Sequence, residues 1–487
     1  MLKRMAIWAW VAFFVAVVAV GRAPDSQRFP AVIFSVFVFA AVISWTPRCR
    51  PVMATPLCPW NWAIFVFGLQ LVGMPLLITL VGPAQGVLPS LPSHFAINLA
   101  IVLDSLAFLT VCTVYNHLAK SQKTDALALS NRLRNAPDAR RSGSTSGIAF
   151  LTALGVLGVF LSFGNIAGIL DFFNNPPYYR DLFLEASSTW QGLAALLLKP
   201  FLGFAVILAW CKWIDSRGGT APWWRRGAVT LLLFAGVVLS FSLVGYNRGA
   251  FAVPLVALAA VPLVKGDKFV WRLTVTAGLL LLLLLPVYAI YRSGTELGGD
   301  LLANTDIKEL LVEKTDYSDI VQMYGGAPQY LGTLLEGTRW ESNPHWGTVT
   351  LSSILSPVPV LGKRFRQGSG FTIYNRLIYG TDSIADQNTP FVGELFLDYQ
   401  IAGILLGYAI LGVVLYRMQR AFERSQSSIE VYIWQFFSIW ICFVIFGGIE
   451  VPSQILIYSC WPIYAFWYLN RKPRRDFKYR AITIQEA

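Results

Sequence analysis

Apolar residues in this chain come in long unbroken blocks, not at the spaced intervals of amphipathic helices or half-buried strands. A helix needs roughly 20 mostly apolar residues to cross a bilayer, because hydrocarbon offers its backbone no partner outside the segment. Runs that meet or approach this length cover about 5–21, 30–45, 60–82, 96–119, 147–170, 190–213, 228–247, 250–265, 270–291, 391–416, 430–450 and 453–470. They predict an all-α polytopic membrane protein with about 12 transmembrane helices. Asn247, Arg248 and Gly249 alone separate the seventh run from the eighth, which predicts a tight hairpin at one membrane surface.

The pattern changes between 292 and 390, where hydrophobic density falls and charges, Gly, Pro and aromatics rise together. The chain thus divides into helices 1–9 over 1–291, one large loop over 292–390, helices 10–12 over 391–470 and a tail over 471–487. The loop is too long for a connector and too aromatic for disorder, so it is expected to fold against the outer membrane surface. Asp319 to Leu335 has helical spacing interrupted by Gly325, Gly326 and Pro328, which predicts two short helices. Ser356 to Phe365, with Pro357 and Pro359, reads as extended.

Composition agrees. Of 487 residues, 55% are hydrophobic and 14% charged, against roughly 25% charged in a soluble domain, which disfavours a soluble enzyme or a nucleic-acid-binding domain. The net charge of +12 needs no polyanion. With the amino terminus inside, 26 of the 39 basic residues fall in cytoplasmic segments and 18 of the 27 acidic ones on the outer side, as membrane charge bias requires. Both termini are expected in the cytoplasm, with the loop periplasmic. The first run, after Lys3 and Arg4, lacks a small-x-small cleavage site and reads as a retained anchor. The six cysteines lie in spans or cytoplasmic segments, so no disulfide framework is expected, and no metal-ligand spacing is present.

The outer arginines run against the charge bias: Arg248, Arg292, Arg339, Arg364, Arg366 and Arg376, with Lys363 beside two of them. A guanidinium fork suits phosphate or pyrophosphate, since it donates paired hydrogen bonds and stays ionised; pairing with the loop's acids or lipid head groups is the plainer alternative. Glu394 and Asp398 are four residues apart at the start of the tenth run, on one helical face. Each is a candidate either for activating an acceptor hydroxyl or for balancing a loop arginine. His345, the one histidine of the loop, is a second candidate base. Asp104 and Lys199 stand at matching depth within spans and are expected to pair. Gly403 and Gly407 have the spacing for close helix packing.

Two stretches carry a family resemblance. Phe391-Val392-Gly393-Glu394-Leu395-Phe396-Leu397-Asp398-Tyr399, followed by Gly403-Ile404-Leu405-Leu406-Gly407, resembles the signature opening a late span in Wzy-type O-antigen and oligosaccharide repeat-unit polymerases. The Asn247-Arg248-Gly249 turn is similar to their arginine-glycine element, and the family's Asn-Phe-Gly stands here as Asp398-Tyr399-Gln400. The resemblance implies a GT-C-like, metal-independent glycosyltransferase of the bacterial inner membrane, needing no cofactor. It would polymerise undecaprenyl-pyrophosphate-linked repeat units at the periplasmic face, into O-antigen or exopolysaccharide, with a flippase and a chain-length regulator as partners. The implied substrate-binding residues are Arg248 first, then Arg292, Arg339, Arg364, Arg366 and Arg376, and Asp398; the implied base is Glu394 or His345. A lipid-linked oligosaccharide flippase and an O-antigen ligase remain the alternative readings. The ligases' loop histidine sits in a His-Asn-x-Tyr-like setting, unlike Pro344-His345-Trp346-Gly347.

Overall fold

A computed structural model describes residues 2–50, 52, 57–120, 145–174, 190–216, 222–243, 248–280, 317–338, 344–359, 361–381 and 388–469. Among them there are helices and turns and no strand. Seven helices are long and apolar enough to cross a membrane: Pro59–Val81, His94–Ala119, Thr145–Phe163, Gly192–Asp215, Trp223–Ser242, Phe391–Glu423 and Ser428–Gly447. The first, second and eighth runs form shorter apolar helices, Ala6–Arg22, Ala31–Trp45 and Ala252–Lys265. The ninth run is described only as a helix over 268–280.

Several runs are not continuous helices. The twelfth, expected as one span, is two nine-residue helices, Glu450–Tyr458 and Trp461–Leu469. They part at Ser459 and Cys460, ahead of Pro462, which has no N–H for a helical bond. The fifth stops at Phe163, and Ile166–Asn174 follows a left-handed Gly164.

His94–Ala119 is the central post, packed against Ala31–Trp45, Phe391–Glu423 and Pro328–Gly337. Trp60 stacks on its Tyr115 with ring centroids 3.7 Å apart, and the Trp60 backbone N–H donates to Gln419 of the late helix. At the end away from the 317–381 helices, Lys265 Nζ and Ser428 Oγ both bind Asp215, at 2.5 and 2.6 Å, while Arg226 pairs with Asp267. All six described cysteines are buried and free.

The expected pair between Asp104 and Lys199 is not formed. Lys199 Nζ lies over the Phe163 ring, 5.6 Å from its centroid, and no ion pair among the described residues joins it to Asp104. Equal depth along two helices says nothing about their lateral separation. The Lys199 helix packs on Thr145–Phe163, whereas Asp104 stands on the central post near Tyr408.

Candidate functional site

The Glu394–Asp398 motif does not open a straight span. Thirty-three residues from Phe391 to Glu423 would make a rod of about 50 Å, well beyond a hydrocarbon core of about 30 Å. The chain reverses instead at Tyr399 (φ −142°, ψ 18°) and Gln400 (φ 53°, ψ −138°). Phe391–Asp398 folds back along the helix that follows. The Phe391 and Tyr408 rings are 5.4 Å apart, and a Cβ on Gly403 or Gly407 would stand 2.2 Å from Leu395 O or 2.4 Å from Leu395 Cδ1. Residues eight to twelve apart touch, which a continuous helix forbids. The expected single span over 391–416 is therefore a half-helix and a span. Gly403 and Gly407 serve this reversal within one segment.

Burial separates the two parts. Every residue from Phe391 to Asp398 is buried, while Ile401, Leu405, Leu406, Ile410 and Val413 form an exposed stripe at helical spacing. The half-helix is wrapped by protein, and the span keeps one face for lipid.

The reversal leaves the last carbonyls of the half-helix without helical partners, and the loop supplies them. His345 N–H donates to Leu397 O at 2.9 Å and Trp346 N–H to Asp398 O at 3.0 Å. In return the Asp398 carboxylate accepts from Val349 N–H (2.9 Å) and Thr350 N–H (2.7 Å), the open N-terminus of helix Thr348–Leu355. That helix begins at a left-handed Gly347, which has no capping side chain, so a carboxylate about 50 positions away in sequence takes the capping role. The loop and the half-helix thus latch onto each other, and at Gly347 the φ of 86° would strain any side chain, with a Cβ also crowding Tyr399 Oη at 2.5 Å.

One turn back, Glu394 ties three segments together. Oε1 accepts from Ser353 Oγ at 3.0 Å and Oε2 from Ile449 N–H at 3.2 Å, while Ser353 Oγ accepts from Gly370 N–H at 3.0 Å. Glu394 is 1% exposed, and a Cβ on Gly370 would reach 2.6 Å from its Cγ. Both carboxylates share one helical face, as the sequence predicts, and both hold helix Thr348–Leu355.

The elements carrying the arginines are pinned to this scaffold. Lys363 and Arg364 stand on the helical turn Gly362–Phe365, Arg366 begins the next turn, and Arg376 lies on Gly370–Tyr379; all four are exposed. These short elements pack on one another and on Thr348–Leu355. Ser356–Phe365, expected to be extended, is not: its described residues, 356–359 and 361–365, form turns and a helical turn. Gly362 N–H donates to Val358 O at 2.7 Å, and a Cβ on Gly362 would fall 1.9 Å from Ser356 O, so the bend depends on the glycine. The two loop helices read from 319–335 are present as Tyr317–Tyr324 and Pro328–Gly337. Gln322 and Gln329 fasten them to the Gly82 and Ala84 backbone.

Arg292 and Arg339 lie outside the described residues, as does the Arg248 side chain; the Arg248 backbone opens helix Arg248–Lys265. His345 is exposed at the latch. Surface recesses of about 430 Å³ and 480 Å³ are lined by Leu198, Phe201 and Trp461, and by His117, Lys120 and Tyr416; no candidate arginine is among their lining residues.

Sequence reasoning missed Glu450 as a site candidate. Its Oε2 is buried without a hydrogen bond. Ser356, Ser369 and Arg366 lie close to it. Its position at the end of an apolar run was the one signal available.

Gln400 carries strain that a glycine would remove, since its φ/ψ pair lies where side chains collide with the backbone, at a cost of about 1–3 kcal/mol. Gln400→Gly is expected to raise the midpoint of thermal unfolding in detergent, the gain reduced by glycine's greater freedom in the unfolded chain. A lower midpoint would mean that the Gln400 side chain holds the reversal.

No family model, no curated protein and no solved structure matches this chain.

Proposed function

We propose that the chain is a Wzy-type polymerase, an inner-membrane glycosyltransferase that joins undecaprenyl-pyrophosphate-linked repeat units at the periplasmic face. The observation that carries this reading is the pinning of the elements that bear exposed Lys363, Arg364, Arg366 and Arg376 to the Glu394–Asp398 half-helix. A second supports it. The family pattern's glycine falls on Gln400, whose positive φ is a conformation that suits glycine. The proposal keeps the twelve-span plan, with both termini cytoplasmic.

In this reading the arginines, with Arg248, Arg292 and Arg339, neutralise the pyrophosphate as the bond to the donor sugar breaks and its electron pair leaves with the phosphate. The acceptor hydroxyl attacks the anomeric carbon and gives its proton to a base. Both Glu394 oxygens are engaged and enclosed, and both Asp398 oxygens cap a helix; these two acids act by holding the arginine-bearing helices in place. His345, exposed beside the latch, is the proposed base. A flippase and a chain-length regulator are the proposed partners.

The test is incubation of purified protein with a lipid-linked repeat unit and no added nucleotide. A glycan ladder on polyacrylamide is the expected result. Translocation across proteoliposomes without a ladder would favour the flippase reading, and transfer to lipid A in its place the ligase.

A further inference from the structure

The exposed apolar residues of the loop continue a surface that already faces lipid. Helix Thr348–Leu355 turns Val349, Ser352 and Ser353 inward, toward the two carboxylates, and leaves Leu351 and Ile354 exposed. Exposed Leu361 follows on the adjoining turn, and Trp346, 73% exposed, precedes the helix. So many large apolar side chains on neighbouring short elements mark a contact surface.

Continuity identifies what covers it. The lipid-facing stripe of the late span, from Val413 up through Leu405 and Ile401, ends at Tyr399. The Tyr399 ring lies 6.2 Å from Trp346, nearly perpendicular to it. Trp346 therefore stands at the head of the stripe, with an aromatic pair where hydrocarbon gives way to head groups. Lys363, Arg364 and Arg366 follow within a few residues and are all exposed, placing fixed positive charge beside the apolar face. An aqueous partner protein would not need its contact surface merged with the lipid stripe.

We infer that Trp346–Arg366 is an interfacial foot set into the lipid leaflet on the loop-bearing side. Trp346, Leu351, Ile354 and Leu361 lie among the upper acyl chains, and Lys363, Arg364 and Arg366 meet lipid phosphates. The foot anchors the arginine-bearing helices at head-group level whatever reaction they serve.

The test uses the full chain in nanodiscs, with a nitroxide on Leu351→Cys and, as reference, on Gln367→Cys. The six native cysteines are buried, so the introduced thiol is the accessible one. Collision with oxygen, which concentrates in hydrocarbon, is expected to exceed collision with a water-soluble nickel chelate several-fold more at position 351 than at 367. Ile354→Cys, on the same face, repeats the measurement should the first variant fail to fold. Equal access of the nickel chelate at 351 and 367 overturns the inference, and so does exclusion of both quenchers at 351, which means a protein partner or second copy covers the face. Replacing phosphatidylcholine by phosphatidylglycerol should slow the label at 367, and Arg364→Gln with Arg366→Gln should remove that response. No lipid response in the parent overturns the phosphate contact.

Discussion

Asp398→Ala is expected to unfasten helix Thr348–Leu355 while the membrane bundle stays folded. The substitution leaves the Val349 and Thr350 N–H groups without the carboxylate that takes both. An orphaned buried donor costs about 1–3 kcal/mol, and more where the acceptor was charged. Two such losses amount to about 2–6 kcal/mol before water enters the gap. Asp398→Asn keeps one acceptor oxygen and should lose about half as much. Hydrogen exchange followed by mass spectrometry reads this directly. Amides of 345–355 should exchange faster by about one and a half to four orders of magnitude in the alanine variant, with His94–Ala119 unchanged. Unaltered protection across 345–355 would show that the carboxylate is not what holds the loop. Glycan synthesis, if present, should fall with the protection, because Lys363 to Arg376 is carried on elements packed against that helix.

The second large effect separates a scaffold from a base. Glu394→Gln keeps shape and offers one oxygen to Ser353 Oγ or Ile449 N–H, so ladder formation is expected to stay within about tenfold of the parent. His345→Gln is expected to lower it by about 10²–10⁴, the loss typical of removing a general base. The latch contact of residue 345 is a backbone N–H, which the glutamine retains, so protection at 345–355 should not change. The opposite ranking, with Glu394→Gln inactive and His345→Gln active, would transfer the proton to Glu394 and overturn the scaffold assignment. Glu394→Ala is less informative, because the hole beside Gly370 and Gly448 would disturb three segments together.

How far these features were legible depends on what kind of information each needed. The loop helices at Tyr317–Tyr324 and Pro328–Gly337 could be read because Gly325, Gly326 and Pro328 punctuate a helical pattern. The shared face of Glu394 and Asp398 could be read because four residues make about one helical turn. The reversal at Tyr399 and Gln400 could not, since neither residue is a glycine or proline and the pair lies inside a long, mostly apolar run. Hydropathy records that a residue avoids water. It cannot tell a helix wrapped by protein, as Phe391–Asp398 is, from one wrapped by lipid.

The sequence by itself determined the apolar surroundings and the helical class, though not where the helices break or reverse. Helices long enough to cross hydrocarbon follow from composition and run length, since a backbone in lipid must satisfy its own hydrogen bonds. The tertiary structure alone decided who meets whom. Asp104 and Lys199 match in depth yet have different neighbours, while Asp398 caps a helix some fifty residues away. Depth and period are positions along one axis, but a carboxylate's role is set by the donors that surround it in three dimensions, and those come from segments that chain order does not bring together.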